Sequence, residues 1–439
     1  MAKQISSYGI EIRHVDKFFY PTVTLFRKAI AFCIDAFEND WGDLQPLNGK
    51  SRNNQAEKLI HGTQGNKPKY PEFDRLFYKM PSYLRRSVIS IALGILSSYH
   101  SNLDNWVSNG CHGHKPTIQK HHDKMPVFYR DSMYQGDGSD TVYLKLFTNG
   151  DWRWVEFHLK HTDMQYIRKH CDMGTMSCPT LEKVHHKWFL RFSFEDEYQL
   201  SNKKYNEQTV LAVDLGINTD ATCAVMRSDG TVLARKFINF PGEKDLITHT
   251  LNKIKQVSQK SGPHNTTKLW RYATQHNEEL ARKIACAITE YAVQMNCDTI
   301  VFEYLDTAGK KHGRKKQRLH MWRKNTIQRI VEHKAHKNGI RISRVCAWGT
   351  SRLAYDGSGA VLRGAEAGFT THSLCRFTSG KVYNSDLSAA YNIGARYFIR
   401  EIQKSISARK WSDIQVKVPD CQKRTLCTYH TLLEIQQAA

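Results

Sequence analysis

Two apolar runs in this chain each carry a single carboxylate near their end. VLAVDLG (Val210–Gly216) holds Asp214, and TIVFE (Thr299–Glu303) closes on Glu303. Runs this apolar read as short strands buried on both faces, and a charge inside such a strand is strongly disfavoured unless something engages it. A third acid, Asp386, opens the helix-spaced segment DLSAAYNIGARYFIREI near the C-terminus. Singly, an acid at a strand end is commonly a turn or surface residue, and Asp386 also fits a helix N-cap. Together they form a set that any fold of this chain must accommodate.

The 439 residues suggest two to four domains, and changes of period divide them. Residues 6–14 read as a strand. From Pro21, a helical stripe runs through Leu25, Ala29, Ile30, Cys33, Phe37 and Trp41. A polar stretch, 48–69, interrupts it before a second helix over about 81–106, so the first 110 residues are mainly helical. From 116 to 200 the period falls to two. TVYLKLFT and WRWVEFHLK flank Asn149-Gly150, a strong hairpin signal, and KWFLRFSFED (187–196) is another strand. A small β-domain or barrel is expected there, with the first strand completing it. From 208 onward the pattern is mixed α/β. The Asp214 strand leads into a hairpin at Ser228-Asp229-Gly230, and helix follows over about 243–296. The Glu303 strand, a helix to about 338, the strand IRISRVCAW and the last helix complete the chain.

A strand–hairpin, a later strand and a late helix, each offering one carboxylate, is the layout of a ribonuclease-H-like nuclease. Its chemistry calls for several hard anionic oxygens converging on two Mg²⁺ ions about 3.5–4 Å apart. AVDLGIN, IVFEYL and SDLSAAYNI resemble the three RuvC nuclease motifs of TnpB, the transposon-encoded RNA-guided nuclease, and of compact type V CRISPR effectors. Glu303 follows Asp214 by 89 positions and Asp386 follows Glu303 by 83. The resemblance implies a multidomain α+β protein. Residues 1–16 would give the first strand of a wedge-type β-barrel, 17–115 a helical recognition lobe and 116–205 the rest of the barrel. A RuvC-like α/β nuclease would occupy 206–349 and 383–439, with an insert binding target nucleic acid at 350–382. It also implies that Asp214, Glu303 and Asp386 bind two Mg²⁺ and are catalytic. The third motif departs from the family at Ser388, where Asn is usual. The insert departs further. Ala354, Gly357 and Thr378 stand where the family carries zinc-binding Cys, leaving Cys375. A structural zinc site needs four ligands, so zinc is not expected and packing should hold the insert.

Sixty-four Lys and Arg against 42 Asp and Glu give +22, an excess that points to a polyanionic partner. The resemblance names two: a guide RNA and target double-stranded DNA. Lys310, Lys311, Arg314, Lys315, Lys316, Arg318 and Arg323 form a basic run that is expected to lie over the carboxylates and hold phosphates without reading sequence. A solvated helix face is the other reading of such a run. The longest apolar stretch, Val88–Leu96, is far short of the roughly 20 residues of a membrane span. With 11 Cys and no CxxC, a reducing compartment is expected, the prokaryotic cytoplasm. The function expected is RNA-guided cleavage of double-stranded DNA beside a short flanking motif. The alternatives are an RNA-guided repressor with weak or no cleavage, and an RNA-independent nuclease or transposase of the same fold.

Overall fold

The computed structural model describes residues 1–13, 18–120, 122–136, 138–304 and 322–438. The chain is mixed α and β and divides at Asp196/Glu197 into two compact units, with Met1 and Ala2 counted with the C-terminal one.

In the N-terminal unit, β1 (Ala2–Glu11) leads to α1 (Phe19–Asn39), α2 (Trp41–Leu44), α3 (Gly49–Ile60), α4 (Glu72–Leu76) and α5 (Ser82–Ser108). The predicted stripe is the buried one: Ala29, Ile30, Cys33 and Phe37 of α1 and Trp41 of α2 are buried, and Leu25 packs half-buried beside them. Helix α3 lies in the polar stretch read as an interruption. Polar side chains build its start. Asn48 caps it by accepting from the Ser51 N–H, and Arg52 donates to the Leu44, Gln45 and Leu47 carbonyls that end the previous turn. Only Ala56 and Ile60 anchor it in the core, too few for a periodicity to show.

Strands β2 (Tyr134–Gln135), β3 (Thr141–Thr148) and β4 (Asp151–His158) form one sheet. Helix α6 (His161–His170) follows, and β5 (Thr180–Val184) and β6 (Lys187–Tyr198) join β1 in a second, ordered β1-β6-β5. In the β3–β4 hairpin Thr148 pairs with Asp151, and Asn149 and Gly150 both take positive φ, 51° and 81°, as a two-residue primed turn requires. An antiparallel bridge between Ile12 and Leu159 connects the two sheets. Helices and sheets share one apolar core.

The C-terminal unit is built on a five-stranded sheet of order β11-β10-β7-β8-β9. Its strands are β7 (Thr209–Asp214), β8 (Ala221–Arg227), β9 (Val232–Ile238), β10 (Thr299–Tyr304) and β11 (Arg341–Cys346). The β7–β8–β9 meander is antiparallel, and β10 runs parallel to both β7 and β11. Alternate residues face opposite layers. Leu211, Val213, Cys223, Val225, Ile300 and Phe302 pack against α7 (Pro241–Ser261), α8 (Thr267–Gln294) and α9 (Lys324–Lys337). Val210, Ala212, Ala224, Met226 and Val301 pack against α10 (Ser385–Ser405), backed by α11 (Ala408–Lys417) and α12 (Tyr429–Ala438). Helix α10 lies so close that a Cβ on Gly394 would stand 2.6 Å from Met226 Sδ and 3.2 Å from Ala212 Cβ.

Between β11 and α10, strands β12 (Leu362–Arg363), β13 (Leu374–Arg376) and β14 (Val382–Asn384) make a small sheet. Ala354, Cys375 and Phe377 form its core with Tyr355, Val361 and Tyr383. Gly357 takes φ 77°, and a Cβ there would meet His430 Nδ1 at 2.9 Å. The Ser388 hydroxyl accepts from the Tyr355 N–H, which ties α10 to this insert.

A candidate nuclease centre

The sheet register brings the first two acids together. Val213 pairs with Phe302 across the parallel β7–β10 ladder, so Asp214 and Glu303 follow side by side, on strands about 4.8 Å apart. Asp214 shares the parity of Val210 and Ala212, and Glu303 that of Val301, which puts both carboxylates on the face that α10 covers. Asp386 is the second residue of α10.

The alternative reading of Asp386 as an N-cap fails. Asn384 is the cap: its Oδ1 accepts from the N–H groups of both Asp386 and Leu387. The Asp386 carboxylate is left for other partners, in a helix first turn where the macrodipole favours negative charge, with the Ser385 hydroxyl donating to it at 3.2 Å.

Glu303 and Asp386 both act on Asp214. Burial pushes the Asp214 carboxyl well above its ordinary value, and the Glu303 and Asp386 charges push it further. Arg363, on β12, pulls it back. Burial also raises Glu303, which is 8% exposed. Three groups oppose that rise: the Thr350 hydroxyl, which donates to Glu303 Oε1, and the charges of Arg396 and Lys324. A cavity of about 300 Å³ opens beside Asp386, bounded by Gly216, Ile217, Trp322, Arg363 and His372.

Lys310, Lys311, Arg314, Lys315, Lys316 and Arg318 lie outside the described residues. Arg323 is described. It stands 3.8 Å from Glu278 of α8 and lines an apolar pocket between α7, α8 and α9. Lys324, the next residue, is 4% exposed and acts on Glu303 from within.

Sequence reasoning missed Arg363, Thr350, Asn392 and Arg396. The Asn392 side chain is fully satisfied: Nδ2 donates to the Thr350 and Leu353 carbonyls, and Oδ1 accepts from the Tyr429 N–H, each at 2.9 Å. Arg396 donates to the carbonyls of Cys346, Trp348, Thr425 and Cys427 at 2.7–2.9 Å. The one signal available beforehand was their i, i+4 spacing on the last helix, which by itself says only that they share a face.

On donor chemistry the site fits hard divalent cations, because such ions take anionic carboxylate oxygens as ligands. Among the described residues no group of three or more His, Cys, Asp or Glu side chains stands closely enough to hold a metal ion. The acids therefore form an open set and not a closed cage.

A profile described as the Aq_aa04 family matches residues 6–148, less than half of the chain. No curated protein matches. Among solved structures, the mini-RNA-guided endonuclease CRISPR-Cas phi3 is 9% identical with a TM-score of 0.47, covering 88% of this chain and 91% of that one. Alicyclobacillus acidoterrestris C2c1 in complex with single-guide RNA is 10% identical with a TM-score of 0.43, covering 84% and 67%. A Cas12f1–sgRNA–target DNA complex is 13% identical with a TM-score of 0.34, covering 89% and 98%. Identity this low, with TM-scores under 0.5, leaves the functional reading to rest on the side chains. No described helix is long and apolar enough to cross a membrane.

Proposed function

We propose that the chain is an RNA-guided endonuclease that cuts double-stranded DNA beside a short flanking motif, with a RuvC-like site in its C-terminal unit. The observation that carries this reading is the placement of Asp214 and Glu303 side by side on the sheet face that α10 covers, with Asp386 in the first turn of that helix and the charges of Glu303 and Asp386 both raising the Asp214 carboxyl. A structural role would not collect three acids where one sheet face meets the helix that covers it. The net charge of +22 suits a polyanionic partner. The guide and the flanking motif rest on the motif resemblance, as does reading the two small N-terminal sheets as a wedge-type barrel.

Asp214, Glu303 and Asp386 would hold Mg²⁺, which when bound neutralises the acids and acidifies a water for attack on phosphorus. The chain's own groups supply the rest. Thr350 occupies one oxygen of Glu303. Arg363 brings a positive charge to the cavity beside Asp386, where it would hold a phosphate of the strand to be cut. The basic run at 310–318 would hold the approaching strand, and the insert would stay folded without zinc.

The test is guided plasmid cleavage in Mg²⁺ by D214A, alongside target binding. Lost cutting with retained binding is expected. Full cutting by D214A would refute the assignment, and binding without cutting by the unmodified protein would favour the repressor reading.

A further inference from the structure

The helix that carries Asp386 also reaches Glu303. Asn392 lies six residues further along α10, about 9 Å at 1.5 Å per residue, and is wholly buried. Its amide holds the Thr350 carbonyl and the Leu353 carbonyl. Thr350, 1% exposed, turns its hydroxyl to Glu303 Oε1 and also stands 2.8 Å from the Ala347 carbonyl. One turn beyond Asn392, Arg396 fixes the same segment by donating to the Cys346 and Trp348 carbonyls. The backbone of Glu303 is held as well, its carbonyl accepting from Gln328 Nε2 at 3.1 Å. A glutamate has three side-chain torsions, and a carboxylate with no donor would sample several of them. Here one oxygen is pinned, and the pin is mounted on the helix that positions another acid of the site.

We propose that Thr350 and Asn392 are positioning residues that fix the Glu303 carboxylate relative to Asp386, so that a divalent cation finds the two acids already set. The proposal rests on the nuclease reading and adds to it the device that maintains the spacing of the acids. Thr350 is buried. It acts through Glu303, as outer partners of metal-binding carboxylates do, and loss of such partners typically costs roughly 10–100-fold in metal affinity or activity.

The experiment compares T350V, which keeps the shape and removes the hydroxyl, with T350S, which keeps the hydroxyl. Mn²⁺ binding to the full-length protein with its copurified RNA is read from the free-ion electron paramagnetic resonance signal, and guided cleavage is titrated with Mg²⁺. T350V should bind Mn²⁺ roughly 10-fold or more weakly and need correspondingly more Mg²⁺ for half-maximal cleavage. T350S should stay near the unmodified protein in both, and T350V should recover cutting at saturating Mg²⁺. Equal Mn²⁺ affinity in T350V and the unmodified protein would overturn the proposal. So would an equal loss in T350S, because packing of the methyl group would then be responsible. T350A takes the place of T350V if the latter shows no cooperative melting transition. D214A is run in parallel. If D214A cuts, the nuclease reading itself fails; if D214A is inactive while T350V behaves as the unmodified protein, only the positioning role fails.

Discussion

Arg396 is a buried guanidinium that gathers four backbone carbonyls from two separate segments, 346–348 and 425–427. It is 5% exposed. R396M keeps much of the length and the apolar stem but removes every donor. Four hydrogen bonds from a charged group, at about 1.5–3 kcal/mol each, bound the loss at roughly 6–12 kcal/mol. The true loss is smaller, because a cavity of about 100 Å³ adjoins Arg396 and gives water a route to the freed carbonyls. A loss of about 3–5 kcal/mol is expected, below that bound because water satisfies part of what the carbonyls lose. For a unit of this size each kcal/mol is worth about 2–4 °C, so the C-terminal unit should melt roughly 10 °C lower. R396K keeps the charge but not the planar fork, and should recover about half of that. Differential scanning calorimetry of the metal-free protein measures both. An R396M transition within about 2 °C of the unmodified one would show that the four contacts are replaced by water at no net cost, and the bracing role would fall.

The acid cluster also sets a pH dependence. Asp214 titrates in the unfolded chain near its ordinary 3.8 and well above that when folded, so between the two values the folded state binds more protons and stability falls as pH rises. Without divalent cations, D214N should therefore melt above the unmodified protein by a margin that widens as pH rises from about 4 towards 7, and Mg²⁺ should narrow it. A margin that does not change with pH would refute this account of Asp214. The basic run makes a separate prediction. Changing Arg314, Lys315, Lys316 and Arg318 to Ala should slow guided cleavage strongly at about 200 mM salt, and each lost phosphate contact should lower the salt slope by about 0.7–0.9. Guide-RNA affinity should change less. Equal rates at low and moderate salt would make the run ordinary solvated surface.

Much of this molecule is legible in local pattern. Period-two runs, apolar runs and the Asn149-Gly150 turn mark strands because a strand's side chains alternate and a primed turn admits few residues. The same logic exposes Asp214 and Glu303, since a carboxylate in an otherwise buried strand contradicts its surroundings. Helix α3 was not legible, because a side-chain cap and a bracing arginine build it where apolar spacing is nearly absent. Nor were the partners of the acids. Thr350 meets Glu303 across 47 positions, Asn392 meets Thr350 across 42 and Arg396 meets Cys346 across 50. Local sequence determines which residues are buried and with what period. Which distant donor then faces which acceptor depends on the register of β7 against β10 and on how closely Gly394 lets α10 approach the sheet, and both are set by packing between segments that no local pattern connects.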